Sequence, residues 1–319
     1  MGLQVTPSTI LVELCTNAML VERAEAFHAT QRLALPDCDF KNGLPYLYVG
    51  QGEVGYSFES QPLALVSDDA TTCCIVVLST ATYFCLAHID SDQQAKYLVK
   101  SWESFMPSDE RSSSAVYVVG GYDDERKIGH GVVSGFLQAL KAASRGTYSV
   151  ELWACGPLNT IPMSSEVKYA QPRSRGALCL LSPSGISLSS VDFAPGTYRG
   201  PDFLRRMTSD SSTLLRPLTT RAELEFSLEP YEIQSYLRIY PEEIPGYERW
   251  IEKASDSLIL SQMSTSPFTE GPKFVPDMKA RIQMAIDVAR QEIHEETERW
   301  FQYSRDAKEW RRVDSRSIQ

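Results

Sequence analysis

Four short apolar stretches follow one another between Leu44 and Ile89: Tyr46–Val49, Leu63–Val66, Cys73–Ser79 and Thr82–Ile89. They are rich in β-branched and aromatic residues, and turn residues close each of them. That is the pattern of successive β-strands. Helical periodicity takes over after Asp90. The spacing predicts a helix over Ser91–Phe105, capped by Asp90 or Ser91. A second is expected over about Asp124–Ala143, where Ile128, Val132, Val133, Phe136 and Leu140 share one stripe. Strands at Ala115–Val119 and Tyr148–Ala154 flank it.

Ala177–Leu181 and Ile186–Phe193 read as a hairpin about the turn cluster Ser182–Gly185. Ala222–Leu228 and Ser235–Tyr240 are further strand candidates. Helices over about Tyr247–Gln262 and Asp277–Trp300 follow, the second burying a stripe of Met278, Ile282, Ile286, Ala289 and Ile293. The fold class expected is α/β of the α+β type, a mixed or antiparallel sheet core with flanking helices. Residues 1–40 are expected to be peripheral, with a short amphipathic helix over Leu11–His28. Residues 41–302 then form a single domain with an irregular insertion at 195–220, and residues 303–319 a C-terminal tail.

The net charge of -10 argues against a nucleic-acid partner, which calls for a basic face. It suits either a solvated acidic surface or a substrate with a positive group. The apolar runs are too short to span a bilayer, so no membrane partner is expected. The N-terminus shows no basic segment followed by an apolar core and a cleavage site. The expectation is a soluble, monomeric protein of the cytoplasm, with the nucleus also open to it. The cysteines number seven, no CxxC pair occurs, and the four histidines show no metal-ligand spacing near them. Free thiols in a reducing compartment follow, and neither a metal nor a cofactor is implied.

The stretch from Ser67 to Asp90 carries the chemistry. A hairpin centred on Thr80-Ala81 puts Cys73 opposite His88, with Cβ atoms about 4.5–5.5 Å apart on one face. A thiol beside an imidazole is the nucleophile–base pair of cysteine catalysis. A slip of one residue would bring Cys74 to the histidine instead. A core cysteine beside a core histidine accounts for the same spacing.

Ser67-Asp-Asp-Ala-Thr-Thr-Cys73 with Ile75-Val-Val-Leu78 resembles the signature of the protein N-terminal asparagine amidohydrolase family. Leu86-Ala87-His88, Val119-Gly-Gly-Tyr-Asp-Asp-Glu-Arg126 and Met263-Ser-Thr-Ser-Pro267 through Glu270, with Pro272 and Phe274-Val275 following, resemble it too and in the same order. The resemblance covers roughly residues 44–282. It implies a cysteine-dependent deamidase fold and a catalytic amidohydrolase domain. It also implies Cys73 rather than Cys74 as nucleophile. A more distant similarity to bacterial chemotaxis-receptor glutamine deamidases implies His88 as base and Ser67 as its orienting hydroxyl.

The implied reaction is deamidation of an N-terminal asparagine through a thioester. The oxyanion would sit on backbone N–H groups around Thr72 and Cys73. The partners implied are proteins or peptides beginning with asparagine, and the product's N-terminal aspartate enters the N-degron route to degradation. A carboxylate is needed for the substrate α-ammonium. Asp69 is the first candidate, with Asp68 and Asp90 also near and Asp123 and Asp124 more remote; a turn or cap role accounts for each of them as well. Two other readings remain: a broader Gln/Asn deamidase or transamidase, and a non-catalytic binder of protein N-termini.

Overall fold

A computed structural model of the protein describes residues 2–30, 33–35, 46–59, 63–105, 113–182, 185–193, 216–221, 225–228, 239–290, 299–304, 306–307 and 309–313. The first half runs β1 (Leu3–Gln4), α1 (Leu11–Thr16), α2 (Ala18–Ala29), β2 (Leu33–Leu35), β3 (Tyr46–Tyr48), β4 (Glu53–Phe58), β5 (Ala64–Ser67), β6 (Cys74–Ser79), β7 (Tyr83–Ile89), α3 (Asp92–Phe105), β8 (Ser113–Tyr122), α4 (Ile128–Lys141) and β9 (Thr147–Gly156). The second half runs β10 (Thr160–Ile161), β11 (Gln171–Pro172), β12 (Ala177–Ser182), β13 (Gly185–Phe193), β14 (Arg216–Arg221), β15 (Glu225–Leu228), α5 (Ile244–Lys253), α6 (Asp256–Met263), α7 (Phe274–Ala289), β16 (Arg299–Ser304) and β17 (Glu309–Val313).

Two mixed sheets stack under a layer of helices. The larger has ten strands in the order β1-β9-β8-β6-β7-β4-β14-β15-β16-β17, and the smaller has five in the order β2-β13-β12-β5-β3. The alternation of side chains along β6 sorts the core in two. Cys74, Val76 and Leu78 pack with Leu98 and Trp102 of α3 and Val133 and Phe136 of α4. Ile75 and Val77 pack with Leu47, Leu65, Ala177 and Cys179 of the smaller sheet. Both faces of β6 and β7 are therefore covered, and every residue of the two strands is buried. This is why they read as near-continuous apolar runs. The fold is α+β, as expected, with mixed sheets.

Several boundaries differ from the sequence reading, each for a physical reason. The start of the chain was expected to be peripheral, yet β1 pairs with β9 and Leu14 and Leu20 lie in the core. The helix foreseen over Leu11–His28 is two helices, because the Asn17 side chain accepts the Leu20 N–H and starts α2 afresh. Ser255 does the same for Leu258, splitting the Tyr247–Gln262 helix into α5 and α6. The helix foreseen to reach Trp300 ends at Ala289, and Arg299–Ser304 is a strand paired with β15 and β17. The tail thus contributes β17, and the 195–220 insertion contributes β14 beside β4. Residues 195–215, Ser235–Arg238, Cys38 and His294 lie outside the described residues.

Candidate active site

The β6–β7 hairpin fixes the geometry. Its turn centres on Ala81-Thr82, one residue later than expected. Thr80 N–H donates to the Tyr83 carbonyl at 2.9 Å, and Thr80 Oγ1 accepts from the Tyr83 and Thr82 N–H groups at 3.3 and 3.4 Å. The threonine hydroxyl supplies the turn chemistry that a Thr-Ala pair lacks. The consequence is that His88 stands opposite Ile75 and not opposite Cys73. The direct Cys73–His88 pairing is thereby corrected. A turn displaced by one residue moves the partner by two, so the face is unchanged. Cys73 ends the segment just before β6 and packs with the cluster of Ile75, Val77 and Leu86. His88 follows Leu86 on that face. Diagonal neighbours across such a pair stand about 7–8 Å apart.

The same alternation separates the adjacent cysteines. Cys74 points into the helix layer, fully buried. Its sulfur would stand 2.6 Å from a Cβ placed on Gly121. Cys73 is partly exposed, whereas Cys74, Cys85, Cys155 and Cys179 are buried.

Ser67 comes from the smaller sheet. It is the last residue of β5, is fully buried, and places Oγ 2.9 Å from His88 Nδ1. The tautomer that donates Nδ1–H to that hydroxyl leaves Nε2 as the basic nitrogen. His28 is committed elsewhere, with its ring nitrogens 3.0 Å from Ser174 Oγ and 3.0 Å from the Leu158 carbonyl oxygen.

The backbone around Cys73 is held from β8. Gly121 N–H donates to the Cys73 carbonyl at 2.6 Å and Tyr122 N–H to the Thr71 carbonyl at 3.1 Å. Gly120 has φ +107°, and a Cβ there would meet the Cys73 carbonyl oxygen at 2.5 Å. Only glycine allows β8 to lie this close. This Gly-Gly pair abuts the candidate nucleophile.

Two charged residues near the site were missed by sequence reasoning. Lys273, almost fully buried, bonds Asp68 and lies 3.2 Å from Asp69 Oδ1 and 3.0 Å from Asp192 Oδ1. Burial alone would lower its pKa, but Asp68, Asp69 and Asp192 outweigh that and hold the ammonium above its usual value. Asp68 also accepts from Tyr48 Oη at 2.8 Å. Both carboxylates proposed from sequence for substrate binding are thus engaged by an internal cation. Asp69 further adopts a left-handed φ of 60°. Asp90 accepts from Gln51 Nε2 at 2.6 Å.

Glu270 is the second missed residue. It closes a segment that docks on the turn before Cys73. Thr265 Oγ1 lies 3.2 Å from Thr72 Oγ1, and Ser266 Oγ lies 3.0 Å from Thr71 Oγ1. Glu270 Oε1 receives Ser264 Oγ and, at 3.0 Å, Ser266 Oγ. Burial raises its carboxyl above the ordinary range, against the lowering effect of the two serines and Arg175. Arg126 Nη1 donates to the Thr265 carbonyl at 3.5 Å, and Thr269 Oγ1 to Tyr122 Oη at 3.4 Å. The four blocks Ser67–Cys73, Leu86–His88, Val119–Arg126 and Met263–Glu270 therefore converge on one place.

Burial first, then the charges of Asp90, Cys74 and Glu270, push the Cys73 thiol well above its ordinary pKa, and a hydrogen bond with Thr72 pulls the other way. Among the described residues, no group of three or more His, Cys, Asp or Glu is arranged to hold a metal ion.

An α+β scaffold brings Ser67 of the smaller sheet to His88 of the larger, on the side of the sheet where Cys73 also packs. Comparison with known proteins gives the family. A family model described as protein N-terminal asparagine amidohydrolase matches residues 39–312, and the chain belongs to that family of amidohydrolases. The protein N-terminal asparagine amidohydrolase of Sus scrofa is 26% identical over 249 residues, 74% of this chain and 73% of the relative. Those of Mus musculus and Homo sapiens are 25% and 24% identical, each over 74% of this chain and 73% of their own length.

Proposed function

We propose that this protein hydrolyses the side-chain amide of an asparagine standing first in a protein or peptide. One observation carries the reading: in a chain of this family, the Ser67–His88 hydrogen bond and the side chain of Cys73 lie on the same sheet face. The Cys73 sulfur attacks the amide carbon while His88 takes the thiol proton. Backbone N–H groups around Thr72 and Cys73 hold the oxyanion. His88 then passes its proton to the departing nitrogen, ammonia leaves, and the acyl group remains as a thioester. Water, deprotonated by the same imidazole, releases aspartate and restores the thiol. Ser67 keeps the ring oriented throughout.

The product's N-terminal aspartate then enters the N-degron route, as the family resemblance implies, and we place this step in the cytoplasm or nucleus. No described helix is long and apolar enough to cross a membrane.

The test is ammonia release from an Asn-first peptide, with conversion to aspartate followed by mass spectrometry. The same peptide N-acetylated, and a Gln-first analogue, should be turned over far more slowly. Equal turnover of all three would point to a broad deamidase, and binding without ammonia to a non-catalytic reader of N-termini.

A further inference from the structure

A substrate that begins with asparagine differs from an internal asparagine by its α-ammonium. That nitrogen is three bonds from the carbon under attack, so a carboxylate that reads it must stand close to Cys73. Most acids near the site are already engaged. Asp68 serves Lys273 and Tyr48, Asp69 is paired with Lys273, and Asp90 holds Gln51. Asp123 pairs with Lys127, and Asp124 accepts the Ile128 and Gly129 N–H groups at the start of α4.

Glu270 is placed differently. Ser264 and Ser266 both converge on Oε1. Among the described residues no hydrogen bond reaches Oε2, and Arg175 acts on the carboxylate through its charge without a hydrogen bond to it. The two serines fix the carboxylate's plane, and Ser266 and Thr265 clamp the segment onto Thr71 and Thr72, immediately before the nucleophile. A carboxylate half withdrawn from water, held rigid and with one oxygen to spare suits an ammonium ligand, because the charge pair is strengthened where solvent is excluded.

We propose that Glu270 holds the substrate α-ammonium and so confines the reaction to the first residue of a chain. This rests on the reading of the protein as an N-terminal asparagine amidohydrolase. It shifts substrate recognition from Asp68 and Asp69, which act as the counter-charges of Lys273. The ammonium also brings a positive charge toward the Cys73 thiol, which favours its deprotonation when a free amine is bound.

The deciding experiment compares an Asn-first peptide with its desamino analogue, in which hydrogen replaces the α-amine. Ammonia release gives kcat and KM for both. The wild-type protein should prefer the free amine by about 10- to 100-fold in kcat/KM. Glu270→Gln should collapse that preference to nearly one, chiefly by raising KM for the free-amine peptide. An unchanged preference in a folded Glu270→Gln variant, with wild type active, overturns the assignment alone. Wild-type protein inactive on both peptides overturns the functional reading and this inference with it. Should Glu270→Gln fail to fold, Glu270→Asp decides. Withdrawing the carboxylate by one methylene raises KM for the free-amine peptide alone if the assignment holds, and for both peptides equally if it does not.

Discussion

Lys273 reaches across the fold to Asp68, 205 residues earlier in the chain, and the side chains of both are almost wholly buried. The pair fastens the start of α7 to the loop that leads into Cys73. Removing Lys273 takes its cation away from the buried Asp68 carboxylate, at a cost of about 3–5 kcal/mol. Lys273→Met should therefore lower stability by that order in a denaturant titration, and Lys273→Met with Asp68→Asn should recover much of it. A loss below about 1 kcal/mol for the single variant would mean that the pair contributes no more than an exposed ion pair.

The two adjacent cysteines give a clean contrast because they occupy opposite faces of the large sheet. Cys73→Ala should abolish ammonia release while leaving the fold intact. Cys74→Ala should keep the activity and cost about 1 kcal/mol, since it deletes one buried atom between β6 and α4. Activity that followed Cys74 would place the reaction in the helix layer, away from His88.

What the sequence revealed, and what it concealed, follows the range of the interactions. The strands around Cys73 and the hairpin Ala177–Phe193 were legible, since period-two alternation and turn residues are local signals. The register was not, because a Thr80 side-chain hydrogen bond shifted the turn by one residue. Lys273 and Glu270 were hidden for a different reason. Ser266 meets Thr71 across 195 residues, and no periodicity reports such a contact. The breaks at Asn17 and Ser255 did have a signal, a capping residue inside an apolar stripe, which the stripe outweighed in the reading. The run Trp300-Phe301-Gln302-Tyr303 likewise carried strand chemistry that the long helical stripe obscured.

Ser67 acts on the reaction only through His88, so its removal should have a distinctive kinetic form. His88→Gln should lower kcat by about 10²–10⁴-fold, the usual worth of a general base. Ser67→Ala should lower kcat by about tenfold with little change in KM, because the ring remains but its tautomer and orientation are no longer fixed. A Ser67→Ala variant whose KM rises while kcat holds would assign the hydroxyl to substrate binding.

The raised pKa of Cys73 predicts how the thiol behaves before substrate arrives. Its largest cause is burial, and the charge of Asp90 adds to it. A thiol whose pKa lies above the ordinary value is neutral at pH 7, and only the thiolate is alkylated. The sign is therefore fixed: alkylation of Cys73 by iodoacetamide should be slow at neutral pH and should still be climbing at pH 9, where an unperturbed cysteine is levelling off. Mass spectrometry of the Cys73 peptide in the Cys74→Ala background measures this site alone. Because burial leads, Asp90→Asn should shift the curve downward in pH only modestly. A plateau below pH 8 would instead indicate a thiolate–imidazolium pair already formed in the free protein, with proton transfer to His88 complete before any substrate binds.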